Sequence, residues 1–263
     1  LTTNGSGTLS FTTVSTNLTD TSLQRNFSPG GAYNIVIGNG AGDSLTSGGN
    51  YNTIIGHDAA DSLTTGDANI VLGANAGKGL TGSQCVFIGA YSGTNTGSGL
   101  RNTAVGYGTM TSTYTYETTG DDNVALGWYA LENSRENCND NVAIGSGTLR
   151  YVGSGDDGNI AVGYQAGGGT SQGGDKNIYI GYQAGLDMGN ASNNVIIGGF
   201  DGNTTELNIS TSSDNIVLSN GAGSVRQHID SNGDTLFYGD VGLDGGSNSD
   251  WAFNDHSNGD HLI

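Results

Sequence analysis

Proline is nearly missing: Pro29 is the only one in 263 residues. Basic residues are also scarce, seven Lys and Arg against 25 Asp and Glu, for a formal charge of −18. Charged residues of both signs make up 12% of the chain, roughly half the usual share. There are two cysteines and two methionines. No apolar run approaches the ~18 residues of a membrane-spanning helix.

Each scarcity excludes something. So little proline rules out collagen in spite of 48 glycines, because a triple helix needs Gly at every third residue and abundant Pro. Few basic residues, scattered, exclude a nucleic-acid partner. Two cysteines are too few for a disulfide scaffold or a thiolate-built zinc site. No segment reads as a signal peptide, and no membrane insertion is expected. With Met110 and Met188 the only methionines and Leu1 first, a processed or partial chain is expected. The acidic balance suits a soluble, extracellular life.

What is abundant is glycine, which costs ~1 kcal/mol per site inside a helix and so argues against a helix-rich enzyme. Its placement is periodic. A phrase of Asn, aliphatic or Thr, variable residue, aliphatic and Gly recurs eleven times. It spans 34–38, 52–56, 69–73, 85–89, 102–106, 123–127, 141–145, 159–163, 177–181, 194–198 and 215–219. Cys85 replaces the Asn once, and Ser219 replaces the last Gly. The period is about 18 residues. A short period with one apolar pentapeptide per unit predicts an all-β solenoid of about eleven coils. The phrase supplies a strand and its Gly a tight bend. A second, weaker strand is expected at Ser44–Thr46 and Ser62–Thr64. Ten steps of ~4.8 Å make a rod ~48 Å long.

Alternation assigns side chains to faces. The residue before each closing Gly, and the one two before it, are expected to fill the coil interior. The intervening residue (Val36, Ile54, Val71, Phe87 and their equivalents) then points outward. It is apolar too, so a second buried face is needed, most simply supplied by identical chains about a rotation axis. The leading Asn residues are expected to form amide ladders along the stack. Cys85 and Cys138, about three coils or ~14 Å apart, lie beyond the ~7 Å reach of a disulfide and are expected to be thiols.

The repeat domain covers 34–223. Residues 1–33 lack the repeat and read as a β-hairpin or shaft connector. Residues 224–263 form a C-terminal hairpin and tip: Val225–Asp230 and Thr235–Tyr238 alternate about an Asn-Gly turn, and the remainder shows no clear element. Two insertions lengthen the period, Thr111–Asp122 and Asn203–Asp214, and such bulges often carry binding.

The phrases at 159–167 and 177–185, Asn-Ile-Ala-Val-Gly-Tyr-Gln-Ala-Gly and its echo, resemble repeats of bacteriophage tail-fibre proteins. They also resemble the head repeats of trimeric autotransporter adhesins, a left-handed β-roll wound as a trimer. Those adhesins use units near 14 residues, which favours the phage reading. Leu1–Phe11 is similar to phage-fibre linkers. Residues 223–233 resemble the segment before a self-cleaving C-terminal chaperone. The resemblance implies a homotrimer within a virion tail, contacting other tail proteins and a host-surface glycan or protein receptor. A bacterial cell-surface adhesin or extracellular filament is the alternative, and a polysaccharide depolymerase a third.

For binding, the candidates are Tyr114 and Tyr116 in the first insertion, Trp128, and Trp251 and Phe253 in the tail. Trp128 also belongs to a column after the closing Gly, with Tyr107, Tyr164 and Tyr182 and a break at Ser146. This column reads first as a structural ladder. No cofactor, metal or catalytic residue is expected. Asp230–Asp234 starts like a calcium loop, but Thr235 and Val241 replace its Gly and Glu. Asp121–Asp122 and Asp156–Asp157 read as solvated turns. His256 and His261 lack thiolate or His-x-His partners. Glu117, Glu132, Glu136 and Glu206 form no evident hydrolytic pair. No nucleophile elbow or phosphate loop occurs. Thr46, Thr64 and Thr81 align only briefly, short of an ice-binding array.

Overall fold

A computed structural model describes residues 33–112, 120–134, 136–169 and 174–238, and the backbone of four short strands near the ends. The described residues are all β and turn, with no helix. Eleven strands follow the eleven phrases: β3 (Ile35–Ile37), β4 (Thr53–Ile55), β5 (Ile70–Leu72), β6 (Val86–Ile88), β7 (Thr103–Val105), β8 (Val124–Leu126), β9 (Val142–Ile144), β10 (Ile160–Val162), β11 (Ile178–Ile180), β12 (Val195–Ile197) and β13 (Ile216–Ser219). Each pairs in parallel with the next and in strict register, as in Val36↔Ile54↔Val71↔Phe87. The result is a β-solenoid of about ten turns.

Two antiparallel strands extend the sheet at its C-terminal end. They are β14 (Val225–Ile229), which pairs with β13, and β15 (Thr235–Phe237). The expected hairpin at 225–238 is therefore present, with Asp230 accepting from the amides of Asn232 and Asp234. Near the N-terminus β1 (Thr2–Thr3) pairs antiparallel with β2 (Leu9–Ser10), as a hairpin there requires. In the tail, β16 (Phe253–Asn254) pairs antiparallel with β17 (His261–Leu262), an element the sequence did not suggest.

The strand faces are the reverse of the expectation. The middle residue of each triplet is the buried one: Val36, Ile54, Val71, Phe87, Ala104, Ala125, Ala143, Ala161, Tyr179, Ile196 and Val217. The two flanking residues look outward, with Ile35, Ile55, Ile70, Ile144, Ile180 and Ile197 among the exposed ones. The reason is room. A coil this thin accepts one side chain per strand, and the opposite wall adjusts to it. Where the middle residue is Ala104, Ala125 or Ala143, the residue six positions on is Met110, Leu131 or Leu149, each buried. Where it is Phe87 or Tyr179, that residue is Gly93 or Gly185. A Cβ on Gly93 or Gly185 would approach the ring to 2.4 Å.

That opposite wall is not a second strand. After the closing Gly of most coils, alternate residues take left-handed backbone angles, for example Gly127 (φ 136°), Tyr129 (51°), Leu131 (54°) and Asn133 (58°). The wall still forms a ladder between coils. The amide of Tyr129 donates to the carbonyl of Tyr107 in the coil before, and that of Leu131 to Thr148 in the coil after. Leu45 and Leu63, expected in strands, are buried anchors of these turns, as is Leu80.

The amide ladder is as expected. The backbone N–H that opens a phrase donates to Oδ1 of the Asn one coil earlier, at 2.9 Å for Asn141→Asn123, Asn159→Asn141 and Asn177→Asn159. Cys85 donates in this way to Asn69 but offers no Oδ1 to Asn102, so the ladder is interrupted there and resumes at Asn123. The Asn Nδ2 reaches a turn carbonyl, such as Gly174 for Asn159. These Asn residues are buried from Asn52 to Asn215, so the ladder satisfies polar groups that water cannot reach. It ends at His228 of β14, whose Nε2 lies 2.9 Å from Asn215 Oδ1. Asn215 Nδ2 is already donating to Asn194, so the ring nitrogen is the donor.

Candidate functional site: the outward strand face and an aromatic corner

Two surfaces stand out. The first is the outward face of β3–β13. Its two columns of eleven side chains hold Ile, Val and Leu throughout, except for Thr53 and Thr103, and carry no charge. Ten of these side chains expose more than a third of their surface, from Val105 at 36% to Ile35 at 54%. A continuous apolar strip of this extent marks an interaction surface. It is set on a chain of charge −18, and the acidic residues among the described ones lie outside the strands.

The second surface is a corner. Tyr91, Tyr107, Trp128 and Tyr129 sit one or two residues after closing glycines of consecutive coils. Tyr107 meets Tyr91 and Tyr129 edge-on, with ring centroids 5.7 and 5.6 Å apart. Trp128 and Tyr129 are tilted at 4.3 Å. The Arg150 guanidinium covers Tyr129 and Tyr151 at 5.4 and 5.3 Å and is held by an ion pair with the largely buried Glu132. Tyr91, Tyr107 and Trp128 remain about half exposed. Such rings offer flat, amphipathic contact area at low entropic cost.

Of the expected binding residues, Trp128 lies in this cluster. Tyr114, Tyr116, Trp251 and the side chain of Phe253 fall outside the described residues, as does His256. The anticipated aromatic column is two groups. Tyr164 and Tyr182 stack at 5.2 Å, while Tyr107 and Trp128 meet only through Tyr129. Tyr91, Tyr129, Tyr151 and Arg150 were not anticipated. A spacing argument reaches Arg150, which lies one 18-residue period after Glu132.

The second insertion folds tightly through an Asn203–Asn208 bridge and a Thr204–Leu207 hydrogen bond. Beside it is an open cleft of about 270 Å³ lined by Asp201, Thr204, Glu206 and Ser224 among others. Asp121 and Asp157, read as solvated turn residues, accept backbone N–H groups from the preceding coil, Leu100 and Asn139. They are rungs of a second ladder. Cys85 and Cys138 are buried thiols, as their spacing demanded. Among the described residues no three His, Cys, Asp or Glu side chains gather as metal ligands would. Comparison with protein-family models, curated proteins and solved structures returned no match to this chain.

Proposed function

We propose that the chain is a structural and receptor-binding segment of a phage tail fibre. It assembles as a homotrimer, extends from the virion and attaches to the host surface by contact, without catalysis. The observation that supports this reading is the uncharged strip on β3–β13. Its 22 positions match the ~20–30 residues a side of a standard protein interface. A parallel sheet of this apolar character belongs with both faces covered, and a second and third copy of the same chain cover it with like against like. In this arrangement the coils are left-handed, the turns face outward, and the acidic surface keeps the fibre soluble.

Recognition is assigned to the aromatic corner around Trp128. Single contacts there are weak, and three copies per fibre raise their effect through avidity. Labelled protein is expected to decorate cells of a susceptible bacterium and block phage adsorption. Trp128→Ala should weaken decoration about tenfold with the assembly mass unchanged. Decoration unaffected by replacing both Trp128 and Tyr107 would remove the corner from the reading. A protein that sits on the bacterium's own envelope during growth without infection would favour the cell-surface adhesin instead.

A further inference from the structure

Along the buried middle column of the strands, Tyr179 alone carries a polar tip. Its ring is clamped between the turns at Gly167 and Gly185, where an added Cβ would come within 2.7 and 2.4 Å of ring atoms. The residue is 1% exposed, and its hydroxyl has no hydrogen-bond partner. Asp156, in the turn between β9 and β10, has the matching problem. Its Oδ1 accepts the amide of Gly174 at 2.9 Å. Its Oδ2 is shut off from solvent and meets no donor with hydrogen-bond geometry.

Tyr179 and Asp156 line one small cavity together with Leu149, Val152, Asn159, Gly174 and Asn177. Its volume is about 10 Å³, the room that a single water molecule needs. The two Asn side chains are not free to serve the orphans. Asn159 Nδ2 is committed to Asn141 Oδ1 and the Gly174 carbonyl, and Asn177 Nδ2 to Asn159 Oδ1 and the Ala191 carbonyl. A hard metal ion is a poor fit, because it requires about six oxygen ligands and the cavity presents two unsatisfied ones.

We propose that this cavity is a binding site for one ordered water molecule, which accepts a hydrogen bond from the Tyr179 hydroxyl and donates one to Asp156 Oδ2. The water ties the turn after β9 to strand β11 through the interior. It sits where the middle column passes from alanines to a full-sized ring. Partial burial holds the Asp156 carboxyl above its usual range, against the opposing pull of the Gly174 and Gly153 amides, as expected of an acid with one oxygen shut off from solvent. Waters of this kind belong to the structure, because each satisfies groups that would otherwise stay unpaired.

High-resolution diffraction from the full chain tests this. The expected result is one round density peak within about 2.5–3.0 Å of both Tyr179 Oη and Asp156 Oδ2. In Tyr179→Phe crystals the peak should weaken or shift, and in Asp156→Asn crystals it should remain, since an amide still bonds water. An empty cavity, a direct Tyr179–Asp156 hydrogen bond, or a peak with the short, numerous contacts of a cation overturns the proposal. Unfolding of the two single variants and the double variant gives a second reading. The water predicts coupling of about fivefold in the unfolding constant; independent effects contradict it.

Discussion

A Cβ on Gly163 would stand 2.2 Å from the carbonyl oxygen of Gly181, and the residue holds φ at 134°. The same contact repeats along the closing column from Gly38 to Gly198. Serine appears at 219, where the next strand is antiparallel and the stack of closing bends ends. Gly163→Ala is therefore expected to cost about 3 kcal/mol, combining left-handed strain with overpacking against backbone. Gly155 (φ 79°) has open space around it, and Gly155→Ala should cost only about 1–2 kcal/mol. Urea unfolding of the two variants checks this, and equal losses would contradict the tight stack. Cys85 offers a second test. Burial pushes its thiol from the ordinary 9.0 up to about 11, partly offset by the amides of Asn102 and Arg101. Burial raises the Tyr179 phenol as well. Both groups are favoured neutral in the folded state. Their stabilisation is full below the unfolded pKa values and is lost as pH rises through the folded ones. Stability should hold to about pH 9 and fall beyond it, less steeply in Cys85→Ser. Thiol alkylation near pH 8 should be slow until the protein is unfolded.

At the scale of the coil, the phrase and its period were legible because they are written eleven times. Strand position, parallel register and the Asn ladder all follow from that repetition. The orientation of the strand was not legible from hydrophobicity, since both faces are apolar and alternation cannot choose between them. Size carried the missing information. The middle column shrinks to Ala104, Ala125 and Ala143, and the residue six positions on grows there, as Leu131 does for Ala125; after Ala161 it is Gly167, whose space the Tyr179 ring and Leu149 occupy. Gly185 answers Tyr179 in the opposite sense. The second wall misled for a different reason. Ser44–Thr46 has strand composition, but the alternating left-handed residues before it, Gly40 and Gly42 (φ 71° and 56°), turn the chain instead. Asp157 was misread because one turn seen alone shows a polar side chain and not the amide of Asn139 above it. If each coil is a unit joined only to its neighbours, a coil can be removed in register. Deleting residues 57–73 brings β4 onto β6 and keeps the bends, the ladder and the Ile54–Phe87 stack. The shortened chain should fold with a melting temperature within about 5 °C of the parent. Deleting eight residues from the same stretch should abolish folding, because it breaks register. A loss of structure in both would contradict the modular reading.

At the scale of the whole molecule, the reversed strand orientation enlarges the surface in need of a partner. One outward column of mixed size, seven of its eleven residues Ala or Val, has become two columns made almost wholly of Ile, Val and Leu. Charge is distributed to suit. The chain has 25 acidic and seven basic residues; those acidic residues that are described lie outside the strands, where Asp121 and Asp157 also act as acceptors between coils, and the strip itself is neutral. The aromatic corner is a separate surface, joined across coils by Tyr107, Tyr129 and Arg150, and it adds a contact site to the rod. The central claim is that the strip is buried between identical chains. Sedimentation equilibrium of the purified protein at micromolar concentration tests it most directly, with Ile144→Lys as the partner experiment. The account predicts a species of three times the 26.6 kDa chain mass, dissociated by Ile144→Lys. A stable, well-folded 26.6 kDa monomer, unchanged by that substitution, would contradict it.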